Sequence, residues 1–111
     1  MIKAWTDSAW EDYLYWQGQD RKTLKRINKI IEDIERNQYT GVGKPERLVG
    51  DLSDYWSRRI DSVNRIVYRI KDNVLQIVQC GSHYRIKYLL EKCVKILTKA
   101  NLLNIIVVVC I

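Results

Sequence analysis

Four side chains in this sequence suffice, in principle, to cleave an RNA strand: a carboxylate, Glu46; an imidazole, His83; and two guanidinium groups, Arg59 and Arg65. A carboxylate can take the proton from a ribose 2′-hydroxyl as that oxygen attacks the neighbouring phosphorus. A histidine, with an ordinary pKa near roughly 6.5, can return a proton to the departing 5′-oxygen at neutral pH. Arginine matches phosphoryl oxygens bidentately and stabilises the charge that builds on them. Tyr84, beside His83, offers a ring to stack on a base or a hydroxyl for a phosphate. The set calls for no metal or other cofactor. Cys80-x-x-His83 supplies two metal ligands, and the sequence nearby offers nothing to complete a tetrahedral site. Each residue also has an ordinary structural reading: Glu46 as a loop ion-pair partner, His83 as a polar strand end, the arginines as a solvated face.

The elements that must carry these groups are legible from periodicity. Ile2–Trp5 is a short apolar stretch suited to a strand. Thr6, Asp7 and Ser8 offer helix N-caps, and Ser8 with Glu11 fits a capping box. Trp10, Tyr13, Leu14 and Gln17 follow at helical spacing up to Gly18. A second helix from Asp20 carries a stripe of Leu24, Ile27, Ile31 and Ile34, supported by Ile30. Gly41, Gly43 and Pro45 then break regular structure in the loop that holds Lys44, Glu46 and Arg47. Three strand-like runs follow, Tyr55–Asp61, Asn64–Ile70 and Val74–Cys80, with Leu48–Leu52 as a marginal fourth. Connections this short require antiparallel neighbours. The expected fold is therefore α+β in two layers, an N-terminal helical hairpin packed on an antiparallel β-sheet. Alternation sends Trp56, Ile60, Ile66 and Ile70 to the core and turns Arg59 and Arg65 together to the face without helices. Trp5, Trp10, Trp16 and Trp56 read as packing anchors rather than base-stacking platforms.

Composition excludes several classes. The 111 residues, 47% hydrophobic and 29% charged, suit one compact domain rather than a disordered chain. The net charge is +6, but residues 1–84 hold 14 basic and 12 acidic groups while residues 85–111 hold 5 and 1. Charge alone therefore does not establish a nucleic-acid partner. Three cysteines and a start without an apolar signal region point to a reducing, cytoplasmic setting. No apolar run is long enough to span a membrane.

Trp5–Trp16 (WTDSAWEDYLYW), Gly41–Leu48 (GVGKPERL), Tyr55–Ile60 (YWSRRI), and Arg65–Tyr68 (RIVY) with Cys80–Tyr84 (CGSHY) together resemble the YoeB toxins of the RelE/ParE superfamily. The resemblance covers residues 1–84 in the family's order and spacing. It implies a RelE/ParE-like fold and an endoribonuclease that cuts mRNA in the ribosomal A site and stops translation. It also implies metal-independent chemistry, a homodimer, and silencing by a YefM-type antitoxin. Carried over by position, Glu46 is the general base, His83 the general acid and Arg65 the stabiliser of the pentacovalent phosphate. Arg59 and Lys44 bind phosphate, and Tyr84 positions the substrate.

Two features depart from the family. Before Arg65 it usually has an acidic residue and a histidine, where this chain has Val63-Asn64. Family chains also normally stop near Tyr84, whereas here residues 85–111 follow as an extension. Ile86, Leu89, Leu90, Cys93, Val94, Leu97 and Ala100 are spaced as one helix face, with lysines between them, and Leu102–Ile111 is nearly all apolar. The extension is expected to cover part of the domain or a dimer partner, or to be read-through sequence, rather than to lie on a membrane surface or bind rRNA through its lysines, and to hinder cleavage by crowding the groove beside His83. The rival functions are a non-catalytic, ParE-like binder of gyrase and a tail-blocked toxin that only binds antitoxin.

Overall fold

A computed structural model describes residues 1–82 and 105–107. The chain runs β1 (Ile2–Thr6), α1 (Asp7–Gln19), α2 (Arg21–Asn37), β2 (Glu46–Arg47), a 3₁₀ turn (Gly50–Leu52), β3 (Trp56–Arg59), β4 (Asn64–Lys71), β5 (Val74–Ser82) and β6 (Ile105–Val107). The two helices and the sheet form the α+β sandwich that the periodicity predicts.

Both helices start on side-chain caps. The Thr6 hydroxyl accepts from the Ala9 N–H at 3.2 Å, so the cap lies two residues before the Ser8 of the expected capping box. Asp20 lies outside α2 and caps it, its Oδ1 accepting from the N–H groups of Lys22 and Thr23. Ile27, Ile30, Ile31 and Ile34 form the buried stripe of α2. They meet Trp5, Ile60, Ile66, Tyr68, Leu75 and Ile77 of the sheet layer in the main core. Trp5 is buried there, while Trp10, Trp16 and Trp56 pack against it half-buried.

The sheet order is β2-β3-β4-β5-β1-β6. β2 to β5 run antiparallel as expected, but β1 joins β5 in parallel, Ile2 opposite Val74 and Trp5 opposite Ile77, so the sheet is mixed. The helical hairpin followed by β2 to β4 makes the long connection that a parallel pair needs. The marginal strand expected at Leu48–Leu52 does not form: β2 ends at Arg47, the 3₁₀ turn starts at Gly50, and Leu48 and Leu52 pack on Tyr55, Val67 and Val78. That small second core covers part of the sheet face opposite the helices. The β4–β5 hairpin turns at Asp72 and Asn73, both with positive φ (53° and 61°), the backbone of a tight two-residue hairpin.

Val67 pairs with Gln79 and Tyr68 with Ile77, leaving Val78 as an extra residue in β5. Before this bulge the odd-numbered Leu75 and Ile77 face the helices; after it the even-numbered Cys80 does. Gln79 and Gly81 are thereby moved to the face of Val67 and Arg65, where strict alternation would have put them under the helices.

Candidate active site

Ladder register decides which chemistry-bearing residues meet. Glu46 lies opposite Ser57, Ser57 opposite Val67, and Val67 opposite Gln79. Two residues along, Arg59 lies opposite Arg65 and Arg65 opposite Gly81. Directly opposed residues share a face, as do residues two apart on a strand, so Glu46, Arg59 and Arg65 all stand on the face away from the helices. With strands ~4.8 Å apart and ~3.4 Å per residue, the Cα of Glu46 is roughly 8 Å from that of Arg59 and roughly 12 Å from that of Arg65. Side chains of this length close on a single phosphate from such positions. Glu46, Arg59 and Lys44 are exposed and Arg65 is half-buried, so the face is open to a ligand.

Arg65 is anchored by its guanidinium. Its Nη1 donates to the carbonyls of Asp61 (2.6 Å) and Asn64 (3.0 Å). Asp61 in turn accepts from the N–H groups of Val63 (2.8 Å) and Asn64 (2.7 Å), and the Asn64 amide reaches its Oδ2 at 2.9 Å. Partial burial works to raise the Asp61 carboxyl, but these bonds outweigh it and hold the group below the usual carboxylate range. This turn thereby fixes the Arg65 guanidinium against its own carbonyls.

The loop that delivers Lys44 and Glu46 is fastened from beneath by a residue that alternation places in the core. Arg58 is fully buried. Its guanidinium ion-pairs with Asp33 and donates to the carbonyls of Gln38 (3.0 Å), Thr40 (2.7 Å) and Val42 (3.1 Å). Tyr68 adds its hydroxyl to the Gln38 carbonyl at 2.6 Å, and Asp33 accepts from the Val42 N–H at 3.1 Å. Hydrogen bonding from Arg58, chiefly, keeps the Asp33 carboxyl below its ordinary pKa. The Arg59 N–H then donates to the Gly43 carbonyl at 2.6 Å. At Gly43, φ is +82° and a Cβ would stand 3.0 Å from the Arg59 carbonyl oxygen, so both backbone shape and space demand glycine.

α1 holds the other approach. Cys80 lies beyond the last β1 pairing, at Ile77, so its outward backbone groups lack a strand partner on that side. Two side chains of α1 replace it: Asp12 Oδ2 accepts from the Cys80 N–H at 3.4 Å, and Trp16 Nε1 donates to its carbonyl at 2.8 Å. Burial raises the Cys80 thiol far above its usual pKa, so it is neutral packing. Gln79, also buried, donates to the Gly81 carbonyl at 3.2 Å.

His83 and Tyr84 lie outside the described residues, as do the expected amphipathic helix of the extension and the remainder of Leu102–Ile111 around β6. Asp12, Trp16, Asp33, Arg58 and Gln79 are the supporting residues that sequence reasoning did not single out as part of the site. The only signal for Arg58 was its even-numbered place between Trp56 and Ile60. Among the described residues, no group of three or more His, Cys, Asp or Glu is placed to hold a metal, and no helix is long and apolar enough to cross a membrane.

Residues 5–84 match the model of the YoeB-like toxins of bacterial type II toxin–antitoxin systems. The chain is 56% identical over 81 residues to the toxin YoeB of Streptomyces coelicolor, covering 73% of this chain and 96% of that one. In the heterotetrameric YoeB–YefM toxin–antitoxin complex of Staphylococcus aureus, a chain 42% identical superposes with a TM-score of 0.70, covering 74% of this chain and 95% of that one. The YoeB dimer of the same organism superposes at 0.71 with 41% identity, over 76% of this chain and 98% of that one. The two superposed structures share the overall fold just described.

Proposed function

This chain belongs to the YoeB-like toxins of bacterial type II toxin–antitoxin systems, and from that premise we propose that it is a metal-independent endoribonuclease that cuts mRNA on the translating ribosome. Glu46 accepts the proton of a ribose 2′-hydroxyl, whose oxygen forms a bond to phosphorus while the bond to the 5′-oxygen breaks. His83 gives its proton to that 5′-oxygen. The products carry a 2′,3′-cyclic phosphate and a 5′-hydroxyl. Arg65 holds the non-bridging oxygens through the pentacovalent state, and Arg59 and Lys44 hold the phosphate. Tyr84 packs against the base or ribose beside the cut.

The observation that supports this reading is the register that gathers Glu46, Arg59 and Arg65 on one open strand face. A carboxylate with two cations beside it, neither of them ion-paired with a carboxylate among the described residues, has the charge distribution of a phosphodiester-cleaving centre, not of a packed surface. The S. aureus complex supports a YefM-type antitoxin as the partner, and the S. aureus dimer supports self-association. An antitoxin segment that occupies the same arginines would compete with phosphate directly.

The test is substitution. Glu46→Gln should lower cleavage in a translating extract by about 10²–10⁴-fold with little change in melting temperature, since an exposed carboxylate contributes chemistry rather than packing. Full toxicity in that variant, with intact transcripts and broken chromosomes, would replace this reading with gyrase poisoning.

A further inference from the structure

A cavity of about 450 Å³ opens at the end of β3 and β4 remote from Arg59 and Arg65, lined by Arg47, Arg69 and Lys71 with the rings of Tyr39 and Trp56. From its lining we propose that it binds a nucleotide of single-stranded RNA, with phosphate on Arg47 and Lys71 and a base on the aromatic pair. The proposal rests on the RNA-directed reading above and adds a second contact point outside the reaction centre.

Charge imbalance and preorganisation favour this ligand. The three cations face one carboxylate on the lining, Asp54, and none of the three is within ion-pair distance of any carboxylate among the described residues. Both guanidiniums are nonetheless held in place through Nε. Arg47 Nε donates to the Ser53 carbonyl at 2.7 Å, and Arg69 Nε donates to the Gln76 side-chain oxygen. Arg69 also lies over the Tyr55 ring, its Cζ 5.2 Å from the centroid. The terminal amino groups of Arg47 are left to meet an anion with little further ordering, whereas those of Arg69 stand with Gln76 and Tyr55 on the other face of the sheet. The rings of Tyr39 and Trp56 lie 4.7 Å apart at 31°, making a layered apolar step beside the cations. Tyr39 is on the exposed side of that step. Cations that track phosphate beside an aromatic surface are how single strands are held without base readout. Trp56 thus packs against the core with one part and lines the cavity with another, a second role beyond the anchor its spacing suggests.

A short 2′-O-methylated oligonucleotide, which lacks the attacking hydroxyl, should be titrated into the full chain while the indole N–H resonance of Trp56 is followed. That resonance should move on binding. The Arg47→Ala/Lys71→Ala variant removes two exposed cations and should keep its melting temperature. Its affinity should fall roughly five- to thirtyfold, and the slope of log K against log salt should drop by about 1.4, from about 0.7 per lost contact on single strands. Arg59→Gln should leave the Trp56 response in place. A stationary Trp56 signal, or unchanged affinity and salt slope in the double variant, would overturn the proposal. So would a Trp56 response to an acidic antitoxin peptide but not to the oligonucleotide. Cleavage by the wild-type chain is read separately, so the nucleotide site and the reaction centre stand or fall independently.

Discussion

Arg58 shows how a charged side chain is tolerated at full burial: one carboxylate and three backbone carbonyls use its donors, so little of its desolvation goes uncompensated. Removing it should be severe. Arg58→Ala should cost roughly 3 kcal/mol or more, because Asp33 and the loop carbonyls lose their partner together. Chemical denaturation would measure it. The pair also predicts a pH dependence. Folding depresses the Asp33 pKa, so its contribution is present above the ordinary carboxylate value of 3.8 and is lost as pH falls through and below that value. Wild-type melting temperature should therefore drop on acidification below about pH 4, and Asp33→Asn should begin lower at neutral pH and lose less on the same descent. Sequence spacing placed Arg58 on the core face but carried no sign of its partners, which come from α2 and from a loop whose path no periodicity describes. Arg59 and Arg65 were legible because strand alternation is a property of neighbours in sequence, whereas Glu46 read as a loop residue and joins their face through the two-residue β2.

Among the elements, β5 departs most from a plain reading. The apolar run Val74–Cys80 marks it as a strand, yet the bulge at Val78 exchanges its two faces halfway along. The inserted residue marks the sequence only through Gln76 and Gln79, three apart yet on one face, so strict alternation misplaces Gln79 and Gly81. Nor was the parallel pairing of β1, which depends on a helical hairpin returning across the sheet. The helices themselves were legible, since the isoleucine stripe of α2 states both its period and its buried side. Two predictions belong here. Gly43→Ala should cost about 1–3 kcal/mol, because its Cβ meets the β3 backbone at a positive φ. The same change should lower cleavage by displacing Glu46, two residues beyond the strained Lys44 (φ 48°). Trp16→Phe keeps an aromatic side chain but loses part of the indole's packing and its bond to the Cys80 carbonyl, and should cost about 1 kcal/mol or more in denaturant unfolding.

At the scale of the whole molecule, β6 pairs antiparallel with β1, Ala4 opposite Val107 and Thr6 opposite Ile105, and so covers an edge of the sheet. A version of the chain stopped after Tyr84 should expose that edge and associate with itself as concentration rises, in sedimentation experiments where the full chain sediments as before. The extension is also expected to slow cleavage, so the shortened chain should cut faster per active subunit; equal rates would remove that idea. The most direct measurement of the central claim is the chemistry of the cut ends in a translating extract. If Glu46, His83 and the arginines act as one centre, transcripts should break within translated codons and carry 2′,3′-cyclic phosphate and 5′-hydroxyl ends, and Glu46→Gln should abolish nearly all such ends. Cut ends bearing 5′-phosphate, or cyclic-phosphate ends undiminished in Glu46→Gln, would contradict the account.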